Sequence, residues 1–141
     1  MRFTVVVGFL TLIVANLAQA VEVDVANVWL RESIPGSENG AAYFTITNQQ
    51  AEIVRLVGAT TDAARAVEVH EHVMRDGMMR MRRVPALEIA PDATVELKPG
   101  SYHLMMFGLK KPLAVGDQVE FILNFDNGDT MLIRGDVRPI Q

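Results

Sequence analysis

Cysteine is missing from all 141 residues of the chain. Disulfide stapling and thiol–disulfide exchange by the protein itself are therefore excluded. So is a lipid anchor carried on cysteine. There is no Ser-His-Asp order, no Gly-rich phosphate loop and no pair of carboxylates in a supporting context, so hydrolase and nucleotide chemistry have no footing. Positive charge is scarce: 13 Lys and Arg stand against 17 Asp and Glu, a net charge of −4. Nucleic acid and anionic membrane surfaces are poor partners for such a chain. Long hydrophobic runs are lacking too. The apolar stretch from Phe3 to Val14 falls short of the ~20 residues that span a bilayer.

What is present at the N-terminus is a leader pattern. Arg2 precedes the apolar stretch, and the segment closes on Ala18-Gln19-Ala20. A short basic start, an apolar middle and a small-x-small end predict a secretory signal over residues 1–20, cleaved after Ala20. Residues 21–141 then form one domain, with no linker, repeat or low-complexity segment. Loss of Arg2 makes this domain slightly more acidic. Without cysteine, an exported domain must be held by its core alone.

The remainder reads as strand after strand. "VEVDVANVWLR" (21–31), "AAYFTITN" (41–48), "EIVRLVGAT" (52–60), "AVEVHEHVM" (66–74), "MMRMRRV" (78–84), "TVELK" (94–98), "YHLMMFGL" (102–109), "QVEFILNF" (118–125) and "DTMLIRGDV" (129–137) are β-branched, aromatic or alternating. Pro35-Gly36, Asp76-Gly77, Pro91-Asp92, Pro99-Gly100, Gly116-Asp117 and Asn127-Gly128 supply turns between them. The only helical candidate, Thr61 to Ala66, is too short to matter. Many short strands at regular spacing predict an all-β antiparallel sandwich or barrel. The loop "RESIPGSENG" (31–40) is a connection within the domain.

Soft donors are concentrated in one part of the chain. After residue 20 there are three His and seven Met, and nine of these ten lie between His70 and Met106. Alternation puts His70, His72 and Met74 on one face of their strand. A two-residue Asp76-Gly77 turn pairs 74 with 79 and 72 with 81, which adds Met79 and Met81 to that face. His103 and Met105 share a face of a later strand. Burial of Tyr102, Leu104 and Met106 would leave them projecting outward or toward a rim. Packing that strand against the hairpin would gather His70, Met81, His103 and Met105, with His72 an equal candidate on geometry alone. Imidazole with thioether suits Cu(I) far better than Zn, Mg or Ca. Zinc structural spacings are absent, and a blue-copper centre would need a thiolate. Met106 and Met131 read as core filler. Met74, Met78 and Met79 are open between filler, surface and support. "MRMRR" (79–83) reads as a solvated basic strand face, with docking to an acidic partner as the alternative.

The runs "VEVHEHVMRDGMMRMRRV" and "VELKPGSYHLMMFGLKKPLAVGDQVEFILNF" resemble the periplasmic copper chaperone PCu(A)C family. That family's pattern is His, ten residues, Met, twenty-one residues, then His-x-Met. His70, Met81 and His103-Leu104-Met105 reproduce it in full. "VWLR" and "GAAYFTITN" are similar to the family's early strands. The resemblance implies a cupredoxin-like, Greek-key antiparallel β-sandwich holding one Cu(I) per chain on His70, Met81, His103 and Met105. It selects His70 over His72 and leaves His72, Met79 and Met106 as supporting candidates. It also implies a non-enzymatic periplasmic carrier, free of the membrane after signal cleavage. Its partners would be the copper subunit of cytochrome c oxidase, at its dicopper site, and a Sco-type thiol protein. Some members add a His- and Met-rich tail with a further copper; this chain ends in "VRPIQ", so only the core site is expected. Copper buffering or resistance would use the same residues, and a metal-free interaction module is the remaining alternative. A carrier should keep its site shallow, so that an incoming thiolate can displace its ligands one at a time.

Overall fold

The computed structural model describes residues 21–140, so the predicted leader over residues 1–20 lies outside the described part. Ten strands follow in order: β1 (Val23–Arg31), β2 (Gly40–Asn48), β3 (Val54–Thr60), β4 (Ala64–Arg75), β5 (Met78–Arg83), β6 (Leu87–Ile89), β7 (Thr94–Glu96), β8 (Tyr102–Leu109), β9 (Gln118–Phe125) and β10 (Thr130–Arg138). Among the described residues there is no helix, and thus none long and apolar enough to cross a membrane. The stretch Thr61 to Ala66 is a turn running into β4.

The strands form one sheet ordered β5-β4-β8-β2-β1-β10-β9-β3-β6, and β3 pairs back onto β4. Seven strands therefore make a closed ring, while β5 and β6 extend from it and β7 pairs with β2. The ring departs from the expected purely antiparallel order at one place, where β1 runs parallel to β10. An odd number of strands cannot alternate direction all the way round, so one neighbouring pair has to be parallel. Closure itself rests on a single register pair, Ala59 with Val67.

Inward residues fill the ring at close to zero exposure: Leu30, Phe44, Ile46, Leu56, Leu104, Met106, Phe121 and Leu123 are all buried. Each is an alternate residue of its strand, as period two requires. One polar side chain joins them. The Asn48 amide donates to the carbonyls of Glu52 (2.7 Å) and Ile89 (2.9 Å), and its oxygen accepts from Gln50 N–H at 2.8 Å. Those three bonds satisfy the group on burial.

Two local features shape the outer face. Asp76 and Gly77 both have positive φ (52° and 75°), the pairing of a type I′ turn, whose twist suits a tight hairpin. The β4–β5 register is accordingly the expected one, with His72 opposite Met81 and Met74 opposite Met79. In β1, Asn27 takes φ 54° and the register slips between Ala26 and Trp29. This bulge changes which parity faces inward. Val23 and Val25 point to the core before it, and Leu30 does after it. Trp29 and Arg31 are thereby turned to the outside beside Tyr43.

Candidate metal centre

β4 and β8 are neighbours, and their register sets the site. His70 lies directly opposite His103, and Glu68 directly opposite Met105. On the far side of β8, Met105 faces Ala41 of β2, a residue too small to cover it. Directly opposed residues share a face of the sheet. His70, His72 and Met81 on the hairpin and His103 and Met105 on β8 therefore occupy one continuous outer face. The four residues of the sequence pattern are brought together, and His72 comes with them.

The rings are closely spaced. Centroids of His70 and His103 are 6.1 Å apart, and those of His72 and His103 are 5.1 Å apart. His70 also lies 5.6 Å from the Phe107 ring. His72, Met81, His103 and Met105 line an open depression together with Tyr43 and Arg31. His70 does not line it and lies beside Phe107.

Hydrogen bonding divides the roles of the imidazole nitrogens. His70 Nε2 is 2.9 Å from Glu68 Oε2, while His70 Nδ1 is buried without a hydrogen-bond partner. A proton on Nε2, donated to the carboxylate, leaves the Nδ1 lone pair free. A carboxylate behind one ring nitrogen is the usual support for a metal-binding histidine, fixing tautomer and ring angle. An unpartnered buried nitrogen costs roughly 1–3 kcal/mol, a cost that coordination would relieve. His103 Nδ1 is 3.5 Å from Ser101 O, which leaves Nε2 of that ring for a ligand.

His103 projects from the outer face as expected, but it is not open there: it is only 3% exposed. The outer face of β8 is covered locally. Tyr43 stacks near it, with ring centroids 6.4 Å apart, and is itself 4.5 Å from Trp29. The loop between β1 and β2 folds over the same region. It is tied down by Leu113 N–H to Ser33 Oγ (2.9 Å) and Leu109 N–H to Glu38 O (2.8 Å). Burial is the main cause that lowers the His103 pKa from the ordinary 6.5. The Ser101 carbonyl opposes the shift, and positive charge at His72, His70 and Arg31 adds to it. His103 thus favours the neutral form that can coordinate. Met105 is half-buried and Met81 is 44% exposed, so the depression grades from a covered imidazole to an open thioether.

Among the described residues, no three His, Asp or Glu side chains converge as a metal cage. Thioethers beside neutral imidazoles are a donor set that favours a soft monovalent ion. Glu68, Tyr43 and Trp29 were not singled out from sequence. Glu68 could have been, because it precedes His70 by two residues and so shares its face. Trp29 could not, because its orientation depends on the bulge.

The family pattern described as "Putative lipoprotein LpqE-like" matches residues 23–137. The chain belongs to this LpqE-like, or PCu(A)C, family. "Putative lipoprotein Lxx21020" of Leifsonia xyli subsp. xyli is 34% identical over 113 residues, covering 79% of this chain and 67% of that protein. Among solved structures, Cu(I)-bound DR1885 from Deinococcus radiodurans is 34% identical with a TM-score of 0.69, covering 86% of this chain and 81% of its own. The copper-bound PCuAC domain of PmoF2 is 24% identical with a TM-score of 0.72, covering 86% and 97%. At that identity it attests the fold alone. The ring of strands in this LpqE-like chain is thus a fold shared with PCu(A)C domains.

Proposed function

We propose that this protein is an exported, non-enzymatic copper carrier. It binds one Cu(I) as cargo through His70, Met81, His103 and Met105 and passes it to a copper acceptor. The observation that carries this reading is the pairing of His70 with His103, where a buried, unpartnered Nδ1 is backed by Glu68. The Cu(I)-bound state of the Deinococcus relative supports it. We read the ring as a flattened, cupredoxin-like Greek-key sandwich, in keeping with its closure through one register pair.

Release follows from the donor set. All four ligands are neutral, so each is displaced more readily than a thiolate would be. Met81, the most exposed, is the first to give way to an incoming donor, and His103, the most covered, is the last. A partner with cysteine thiolates would draw the ion onward. A Sco-type thiol protein and the dicopper subunit of cytochrome c oxidase fit as partners, with the periplasm as the compartment. The lipoprotein name of the Leifsonia relative supports export. A lipid anchor on cysteine has no attachment residue in this chain.

The test is a Cu(I) competition titration against a chromogenic chelator, comparing wild type with His103→Ala/Met105→Ala. Tight one-to-one binding in the wild type, lost in the double variant, is expected. Absence of binding in both would leave a metal-free interaction module and end the copper reading. Deletion of the gene separates delivery from buffering: delivery predicts loss of oxidase activity at low copper, and buffering predicts copper sensitivity with normal oxidase.

A further inference from the structure

The β4–β5 hairpin extends beyond the closed ring, and β5 is bonded only to β4. Every residue of β5 is exposed. Exposed edge strands usually carry charge on both faces to discourage pairing with other chains. Toward its tip this one is divided by face, while Arg83 at its other end lies opposite His70 on the side of the metal centre. Arg75, Arg80 and Arg82 lie on the side away from the metal centre, opposite Met78, Val73 and Glu71 respectively. The side continuous with the centre carries His72 opposite Met81 and, one step further out, Met74 opposite Met79. Met74 is 66% exposed and Met79 is 56% exposed. No part of the described chain covers them, so core packing does not explain two thioethers there.

Distances follow from strand geometry. Directly opposed residues have Cβ atoms ~5 Å apart, and the next pair on the same face is ~7 Å further along. Thioether side chains are long and flexible enough to converge across such a step. Three sulfurs and one imidazole therefore lie in consecutive pairs, leading from the depression to the tip of the hairpin. Met81 belongs to both ends of this series.

Building on the copper reading above, we propose that His72, Met74 and Met79 form a second, weaker Cu(I) station at the hairpin tip. It lies outboard of the main site and exchanges its ion with that site through Met81. Its donors are neutral and soft, so it selects the same monovalent ion. Its exposure makes it the weaker of the two and the first to meet an incoming donor or acceptor. Loading and release would then proceed by transfer between neighbouring thioethers, with no naked ion formed. No electron or proton moves in the exchange; one Cu–S bond forms as another breaks.

The experiment is an anaerobic Cu(I) titration of the protein purified after export of the full-length chain, against one weak and one strong chromogenic chelator. Wild type is expected to hold two equivalents against the weak chelator and one against the strong. Met74→Leu/Met79→Leu keeps the volume and apolar character of the tip but removes its sulfur. It should lose the weaker equivalent and keep the tight one unchanged. His72→Asn should lose the weaker equivalent too; because His72 also lines the depression, the tight equivalent in this variant reads whether His72 belongs to the outer station or to the main site. A single equivalent in wild type against both chelators overturns the second station and leaves the copper carrier intact. Two equivalents in the double leucine variant overturn it as well, and so does loss of the tight equivalent in His72→Asn, which would place His72 in the main site. Failure of wild type to bind any Cu(I) overturns the carrier reading itself. If the methionines serve an apolar partner instead, the leucine variant behaves as wild type in partner binding, and wild type shows no second equivalent.

Discussion

Met105 and Met106 are adjacent in sequence and should fail in opposite ways when changed. Met106 is 0% exposed, in the ring beside Gly40, where its sulfur lies 3.3 Å from the position a Cβ on that glycine would take. Met106→Ala empties volume that this packing cannot refill, at a cost of about 2–5 kcal/mol. For a domain of this size that is a fall in Tm of roughly 8–20 °C. Met105 lies across the sheet on the outer face, between Glu68 and the small Ala41. Met105→Leu conserves volume and should cost less than about 1.5 kcal/mol, while removing a thioether from the proposed copper set. Thermal unfolding without metal, paired with the Cu(I) competition titration, reads both effects. The expected result is a large Tm loss with retained copper affinity in Met106→Ala, and the reverse in Met105→Leu. Wild-type affinity in Met105→Leu would refute the assignment of that sulfur. Loss of copper by Met106→Ala at a temperature where it is still folded would refute the division of the strand into core and site faces.

Three further outcomes are expected. Glu68→Gln weakens the hold on His70 Nε2 and should lower Cu(I) affinity by about 10–100-fold with little change in Tm; an unchanged affinity would mean that the contact is idle. The lowered pKa of His103 means that, just below pH 6.5, the unfolded chain takes up a proton that the folded chain refuses. Metal-free stability should therefore fall as pH drops from 6.5 toward the depressed value and be flat in this respect above 6.5. Denaturant unfolding at pH 7.5 and 5.5 should show a smaller drop in His103→Asn than in wild type. Asn48→Ala strips three hydrogen bonds from a buried position and should cost about 3 kcal/mol or more by denaturant melt; a cost within about 0.5 kcal/mol, the level of an unremarkable surface change, would mean that water replaces the amide.

The site was legible in sequence to the extent that it depends on local rules. Asp76-Gly77 dictates a two-residue turn, so the pairing of His72 with Met81 could be read directly. The separation of Leu104 and Met106 from His103 and Met105 is period-two alternation. The short strand Leu87–Ile89 was not read, because three residues carry no alternation to recognise. Nor was the slip at Asn27, since a single asparagine in a valine-rich strand does not announce a bulge.

The sequence alone determined the longer strands, the hairpin register and the collection of His and Met on common faces. These follow from side-chain periodicity and turn chemistry within a few residues. Tertiary structure decided which strands became neighbours, and so placed His70 across from His103. It also decided that His103 would be buried, among the rings of Tyr43, His70 and His72 from strands remote in sequence. Burial is a property of what folds over a face, and a strand's own pattern does not record that.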